Sequence, residues 1–393
     1  MLSRRTILKA GSSMTAMAMA GAPSFAWANG DTDRRFVMVI LRGAADGLAL
    51  VPAIGDPNYA PQRGKLAEQN PIPLDTTFGL NPGLAELEPL WRDGQLAVIH
   101  ATHTSHRARS HFDAQNMLES GLNKPSSITD GWMNRAIGYF GQPKINLGLA
   151  AGHQLPLILS GPAPVTVWAP RLLHNPELAF LQKLEAMSAV DPQIRAALAE
   201  GAADDARQRS MLGDLEAARA GVGRYGLNLQ LAAATGRLLA AEDGARFASF
   251  DLGGWDTHGS QTIVLSYLLP NLAKSLLALK DNLGPAWAKT VVMVVSEFGR
   301  TVAPNGTNGT DHGEAGVALV LGGAVKGGRV ISDWPGLATA QLYEQRDLRP
   351  TTDIRTAFKS VMIGHLGIDD AFVEAKVFPA TPDIRPLDGL VRT

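Results

Sequence analysis

The chain has 393 residues, 36 of them Lys or Arg and 37 Asp or Glu, for a formal net charge of −1 with histidine neutral. Hydrophobic residues at 45% and charged residues at 19% suffice for a large core, and the even charge balance leaves no nucleic-acid footprint. With no cysteine, disulfides and thiolate chemistry are excluded, and any metal must be held by oxygen and imidazole.

The first element is Ser3-Arg4-Arg5-Thr6-Ile7-Leu8-Lys9, followed by a weakly apolar run from Ala10 to Ala22 and then Ala26-Trp27-Ala28. A basic end, a short apolar stretch and a small-x-small site predict a twin-arginine signal peptide over residues 1–28, cleaved before Asn29. The competing reading is an uncleaved anchor, but the run is too short and too rich in Gly and Ala to hold a bilayer well. Taking its 3 basic residues from 36 leaves 33 against 37 acidic, a net charge of −4. The expected localisation is periplasmic or secreted, with the twin-arginine translocase as partner during export. No later stretch reads as a stable membrane span.

Short apolar runs predict buried strands at Phe36–Leu41, Leu96–His100, Leu157–Leu159, Val165–Trp168, Phe247–Asp251, Val291–Val295 and Val317–Leu321. Between them, helical spacing runs from Asn81-Pro82 to Trp91, from Ser110 to Gly121, from Thr262 to Asn282, and from Thr352-Asp353 to Gly367. This alternation predicts an α/β fold with a large, mostly parallel sheet flanked by helices. Residues 175–242 break the pattern with Ala, Leu, Glu and Arg. They read as a helical insertion in a single domain spanning 29–393.

In open parallel sheets ligands bind beyond the carboxyl ends of the strands, so the residues just after each strand matter most. After the first predicted strand comes Arg42-Gly43-Ala44-Ala45-Asp46-Gly47. After the second come His100, His103, His106, Arg107, Arg109, Ser110 and His111. The strand at 247–251 is followed by Trp255-Asp256-Thr257-His258, and that at 291–295 by Ser296-Glu297-Phe298-Gly299-Arg300 and then Gly309-Thr310-Asp311-His312-Gly313. Each piece alone has a plainer reading: an Asx-turn for Asp-x-His, a helix start at Ser296, a solvated polar loop for the histidines. Their shared position after strands favours convergence on one edge. A mixed set of Asp, Glu and His is the donor set of a hard or borderline divalent metal.

The twin-arginine leader, Leu41-Arg42-Gly43-Ala44-Ala45-Asp46-Gly47-Leu48, Ser110-His111-Phe112, Asp256-Thr257-His258, Ser296-Glu297-Phe298-Gly299-Arg300-Thr301, Gly309-Thr310-Asp311-His312-Gly313, Lys326-Gly327-Gly328-Arg329 and Thr352-Asp353-Ile354-Arg355 together resemble the exported domain-of-unknown-function family 1501. That family is similar to the alkaline phosphatase and sulfatase superfamily. The resemblance implies an alkaline-phosphatase-like fold and metal ligands among Asp46, Asp256, His258, Glu297, Asp311 and His312. It also implies a nucleophile at Ser110, with Ser105 second, and Arg107, Arg109 and His111 as further catalytic groups. Asp256 and His258 depart from the superfamily in standing two apart rather than four, and Ser296-Glu297 replaces its Asp-His. The implied function is an exported metal-dependent hydrolase of an anionic phosphate or sulfate ester, with zinc or manganese as cofactor. The alternative is a non-catalytic exported binding or assembly protein that retains the fold.

Overall fold

A computed structural model describes residues 32–141, 146–170, 192–212, 224–379 and 381–392. The leader and its cleavage site lie outside these residues, as do 175–191 and 213–223 of the helical insertion.

The strands, in chain order, are β1 (Arg35–Arg42), β2 (Ile72–Pro73), β3 (Gly79–Leu80), β4 (Leu96–His103), β5 (Gly148–Ala151), β6 (Val165–Trp168), β7 (Phe247–Gly253), β8 (Thr290–Val295), β9 (Gly316–Leu321), β10 (Arg329–Ile331) and β11 (Thr352–Asp353). β2 and β3 form a separate small antiparallel pair. The rest make one nine-stranded sheet in the order β10-β4-β9-β8-β1-β7-β5-β6, with β11 also on β4. Pairing is parallel throughout, except that β9 runs antiparallel to β4 and β8.

β1 shows why a continuous apolar run belongs in the middle of such a sheet. Val37, Val39 and Leu41 pack on one face against Leu265, Leu268, Leu272 and Leu276 of the helix Gln261–Leu283. Phe36, Met38 and Ile40 pack on the other face against Trp132, Phe358 and Phe378. Side chains alternate across a strand, so a strand covered on both sides is apolar at every position.

Several expectations are corrected. Leu157–Leu159 is a single 3₁₀ turn between Pro156 and Ser160, too short a run to commit to a strand. Gly148–Ala151, a Gly-Leu-Ala-Ala segment without β-branched residues, is a strand that composition hides. The expected helix from Asn81 is a 3₁₀ turn, Pro82–Leu87, followed by a short helix, Glu88–Arg92, with Pro89 in its first turn. Thr352-Asp353 pairs with β4, and the helix opens only at Arg355. The segment Gln261–Lys289 is long and apolar enough to cross a membrane, contrary to the sequence reading. Half of its apolar window is nevertheless buried within the fold, where it forms a core helix.

The reversal of β9 has a direct consequence for chemistry. A connection between antiparallel neighbours starts and ends at the same edge of a sheet. The 296–315 loop therefore stays at the edge where β1, β4 and β7 also have their carboxyl ends.

Candidate metal centre

Three of the loops at this edge, those after β1, β7 and β8, are stitched together through their backbones. The Trp255 N–H donates to the Arg42 carbonyl at 3.2 Å, and the Thr310 N–H to the Thr257 carbonyl at 3.1 Å. The 296–315 loop folds back on itself, with the Gly299 N–H donating to the Glu314 carbonyl and the Gly313 N–H to the Gly299 carbonyl, at 3.0 and 2.9 Å. Gly43 sits at φ +115°, and a Cβ there would lie 2.5 Å from the Asp256 nitrogen. Only glycine lets the β1 loop approach the Asp256 loop so closely.

This stitching brings three imidazoles and one carboxylate together. His312 Nε2 lies 3.0 Å from Nε2 of His111 and 3.0 Å from Nε2 of His258. Asp256 Oδ1 is 3.2 Å from His312 Nε2 and 3.1 Å from His258 Nε2. Asp256 Oδ2 is 3.6 Å from His111 Nε2. His111, Asp256 and His312 each offer a ligand atom within 4.8 Å of the others, a possible metal site, and His258 flanks the Asp256–His312 pair.

The partners on the far side of each ring set the tautomers. His111 Nδ1 is 2.7 Å from Glu297 Oε1, His258 Nδ1 is 3.2 Å from Asp311 Oδ1, and His312 Nδ1 is 3.2 Å from the Arg109 carbonyl. A carbonyl or an ionised carboxylate only accepts, so each Nδ1 carries the proton and each neutral ring keeps its Nε2 lone pair for the centre. Both carboxylates stay ionised. Burial opposes the charge on Glu297, yet hydrogen bonds from His111, Gln115 and the Gly43 N–H hold its pKa down to about 2. A hydrogen bond from Asn305 and the neighbouring His258 lower Asp311. Asp256 is lowered as well: burial works against its charge, and Arg300, His258 and His312 outweigh it. The hydrogen bond to Glu297 raises His111 above the ordinary imidazole value, whereas burial and then the His111 charge lower His312.

His111 Nε2, 3.0 Å from His312 Nε2, likewise turns its lone pair toward the centre. With these tautomers no proton lies between His312 Nε2, His258 Nε2 and Asp256 Oδ1. Three lone-pair atoms at 3.0, 3.1 and 3.2 Å repel one another unless a cation draws them in. Ligands bound at ~2.0–2.1 Å to a tetrahedral ion stand roughly 3.3 Å apart, so the spacing fits a small divalent cation.

The other predicted site residues take different places. Asp46 is 2% exposed and does not join the cluster. Its Oδ1 caps the turn Gly47–Leu50, and its Oδ2 accepts from Arg63 and Gln261, both at 2.6 Å. A buried guanidinium thus consumes the carboxylate that was expected to bind metal. Glu297 and Asp311 orient histidines rather than belonging to the three-residue group. The Arg109 side chain is bound to Asp347 and Glu344, at 2.8 and 2.6 Å, and only its carbonyl faces the centre. Arg107 donates to the Thr104 and His106 carbonyls at 2.6 and 2.7 Å. Ser110 caps the helix His111–Ser120 through the Asp113 N–H, and Ser105 donates to the Asn123 carbonyl at 3.2 Å.

Two contributors were missed. Arg300, its side chain wholly buried, donates to Asp256 Oδ1 at 2.8 Å. Gln115 donates to Glu297 at 3.1 Å. The sequence reading places the Ser296–Arg300 segment at this edge but does not single out Arg300 within it. The segment is an irregular turn in which Arg300 forms an isolated antiparallel bridge with His312. Gln115 carries no signal in sequence beyond its place one turn after His111.

No curated protein matches the chain. Among solved structures it is similar to Ps i-CgsB in complex with k-i-k-neocarrahexaose, at 8% identity and a TM-score of 0.45, over 90% of this chain and 77% of that one. It is also similar to the C-terminal periplasmic domain of EcEptC from Escherichia coli in complex with Zn, at 11% identity and a TM-score of 0.36, over 75% and 74% of the two chains. A third likeness is to the phosphonate monoester hydrolase of Agrobacterium radiobacter, at 13% identity and a TM-score of 0.36, over 76% and 70%. At these scores the likenesses transfer no residue roles. Residues 100–377, which hold every residue of the candidate centre, match a family described as "Protein of unknown function (DUF1501)", and the chain belongs to that family.

Proposed function

We propose that the protein is an exported metal-dependent hydrolase of an anionic ester, with phosphate favoured over sulfate because no cysteine is present for a modified sulfatase nucleophile. The observation that carries this reading is the set of three imidazoles whose Nδ1 atoms are held by acceptors while their Nε2 atoms gather around Asp256. His111, Asp256 and His312 would hold the ion, with His258 beside them. Imidazole and carboxylate together favour zinc or manganese over calcium, which prefers oxygen alone. When bound, such an ion polarises an ester oxygen and lowers the pKa of a hydroxyl or water nucleophile.

The chain's own residues do the rest. Glu297 fixes the His111 ring, Asp311 fixes His258, and the Arg109 carbonyl fixes His312. Buried Arg300 keeps Asp256 ionised and aimed at the rings. Ser110 adjoins His111 in sequence and remains the proposed nucleophile, with a water as the other candidate. The side chains of Arg107 and Arg109 are committed to carbonyls and carboxylates, so the ester's charge would fall to the ion instead.

The test is metal analysis of the purified protein together with turnover of aryl phosphates, phosphodiesters and aryl sulfates. Metal content with turnover supports the reading, and neither one returns the protein to a non-catalytic binding role. Ser110→Ala separates the nucleophiles. Loss of a cap alone costs about 1 kcal/mol and leaves catalysis in place. A nucleophilic Ser110 predicts no turnover with metal content near wild type.

Export is a separate proposal, resting on Arg4, Arg5 and Ala26-Trp27-Ala28. Changing Arg4 and Arg5 both to Lys is expected to leave the unprocessed chain in the cytoplasm, as read by fractionation. Efficient export of that variant would remove the twin-arginine assignment.

A further inference from the structure

The β5–β7 pairing ends at Ala150 and Ser249, but β7 runs on to Gly253, so among the described residues the carboxyl half of β7 has no strand on that side. The gap opens into a cavity of about 390 Å³, within the ~300–1,000 Å³ range of small-molecule sites. Pro156, Leu227, Leu231 and Phe250 give it apolar walls. Gln154, Asn228, Ser249 and Asp251 supply polar groups.

Ser249 is the telling residue. It is 1% exposed, and its hydroxyl has no hydrogen-bond partner among the described residues. A buried hydroxyl left unpaired is costly, and a partner entering the cavity would remove that cost. Two other polar groups are already fixed in place. Asp251 Oδ2 accepts from Arg42 Nε at 3.0 Å, and the Asn228 amide donates to Asn271 at 2.8 Å.

The charge balance narrows the ligand class. No Lys or Arg lines the cavity among the described residues. Arg42, just behind Asp251, also binds Glu119 at 2.6 Å, so one guanidinium already serves two carboxylates. His153 also lines the cavity, and with its ring neutral an anion would meet net negative charge there. A neutral molecule with several hydroxyls suits a lining that both donates and accepts against apolar walls.

We propose that this cavity binds a neutral polyhydroxylated group, a sugar ring or similar polyol, through Ser249, Asp251 and Gln154. It shares the β1 and β7 carboxyl ends with the metal centre: Asp251 lies five residues before Asp256, and Gly43, next to Arg42, donates to Glu297 at 3.0 Å. The sugar would therefore be the alcohol part of the ester, a role that rests on the hydrolase reading; binding itself does not.

The test uses the full chain with galactose, glucose and lactose as probes, and inorganic phosphate and n-butylamine as controls, read by saturation-transfer NMR and calorimetric titration. At least one neutral sugar is expected to bind, and neither control is expected to bind in this cavity. Ser249→Val should weaken sugar binding about tenfold without lowering the melting temperature, because the lost hydroxyl had no partner in the fold. Leu227→Trp, which fills the cavity from its wall, should abolish sugar binding. Binding of butylamine or phosphate that Leu227→Trp abolishes, with no sugar bound, overturns the proposal. So does sugar binding that neither variant changes. Metal content, measured on the same samples, reports on the metal centre separately, so the failure of one reading is distinguishable from the failure of the other.

Discussion

His312→Ala is expected to empty the metal centre and abolish ester turnover. Its Nε2 is the atom common to both short imidazole contacts and to the Asp256 contact, so no other single change removes as much of the donor set. Loss of an outer partner such as Glu297 typically costs roughly 10–100-fold in metal affinity, and loss of a ligand costs more. Glu297→Gln should therefore retain weakened binding where His312→Ala retains none. Stability gives a second readout. An ion held at 1,000 times its dissociation constant stabilises the folded state by about 4 kcal/mol. Adding zinc or manganese should raise the melting temperature of wild type by several degrees and leave that of His312→Ala unchanged. Equal metal content in wild type and His312→Ala would count decisively against the centre.

The second large effect is acid destabilisation that owes nothing to the metal. His100 is fully buried: its Nε2 donates to the Val51 carbonyl at 3.0 Å, and its Nδ1 accepts the Ala101 N–H at 2.9 Å. His365, 1% exposed, donates to the Arg35 carbonyl at 2.9 Å. Burial pushes both pKa values down to about 4. The unfolded chain takes up these protons near pH 6.5, and the folded protein refuses them until about pH 4. Stability is thus unaffected above pH 6.5 and falls as the pH drops through this window, by ~1.4 kcal/mol per pH unit for each group. The loss reaches roughly 3 kcal/mol per histidine at pH 4. Glu297 acts in a different window, since its lowered pKa removes stability only as the pH falls from 4.5 toward 2. Urea unfolding with chelator present, at pH 7, 5.5 and 4.5, should show the decline, and His365→Gln should remove about half of it. A flat profile between pH 7 and 4.5 would mean that these rings titrate normally.

The sequence by itself determined the parts that depend on local pattern. Apolar runs at Phe36–Leu41 and Val291–Val295 can be buried on both faces only in the middle of a covered sheet, and they lie there. Ser110 and Gly121 bracket their helix because one supplies a cap oxygen and the other accepts a left-handed backbone, both properties of the residue alone. The rule that ligands gather past the carboxyl ends of strands made Asp256, His258 and His312 legible as one group. Only the tertiary structure decided how these residues are used. Asp46 and Asp256 look alike in sequence, each an Asp after a strand. Asp46 is buried against Arg63, 17 residues away, whereas Asp256 is half-exposed among imidazoles. Arg300, 44 residues from Asp256, and Glu297, 186 residues from His111, become partners only when β9 reverses and returns its loop to the active edge. Which ring nitrogen faces the centre depends on acceptors from distant segments. Ser249, whose hydroxyl is unpaired, stands at the last β5–β7 pair because β5 ends there, a fact about a neighbouring strand's length that no pattern within β7 contains.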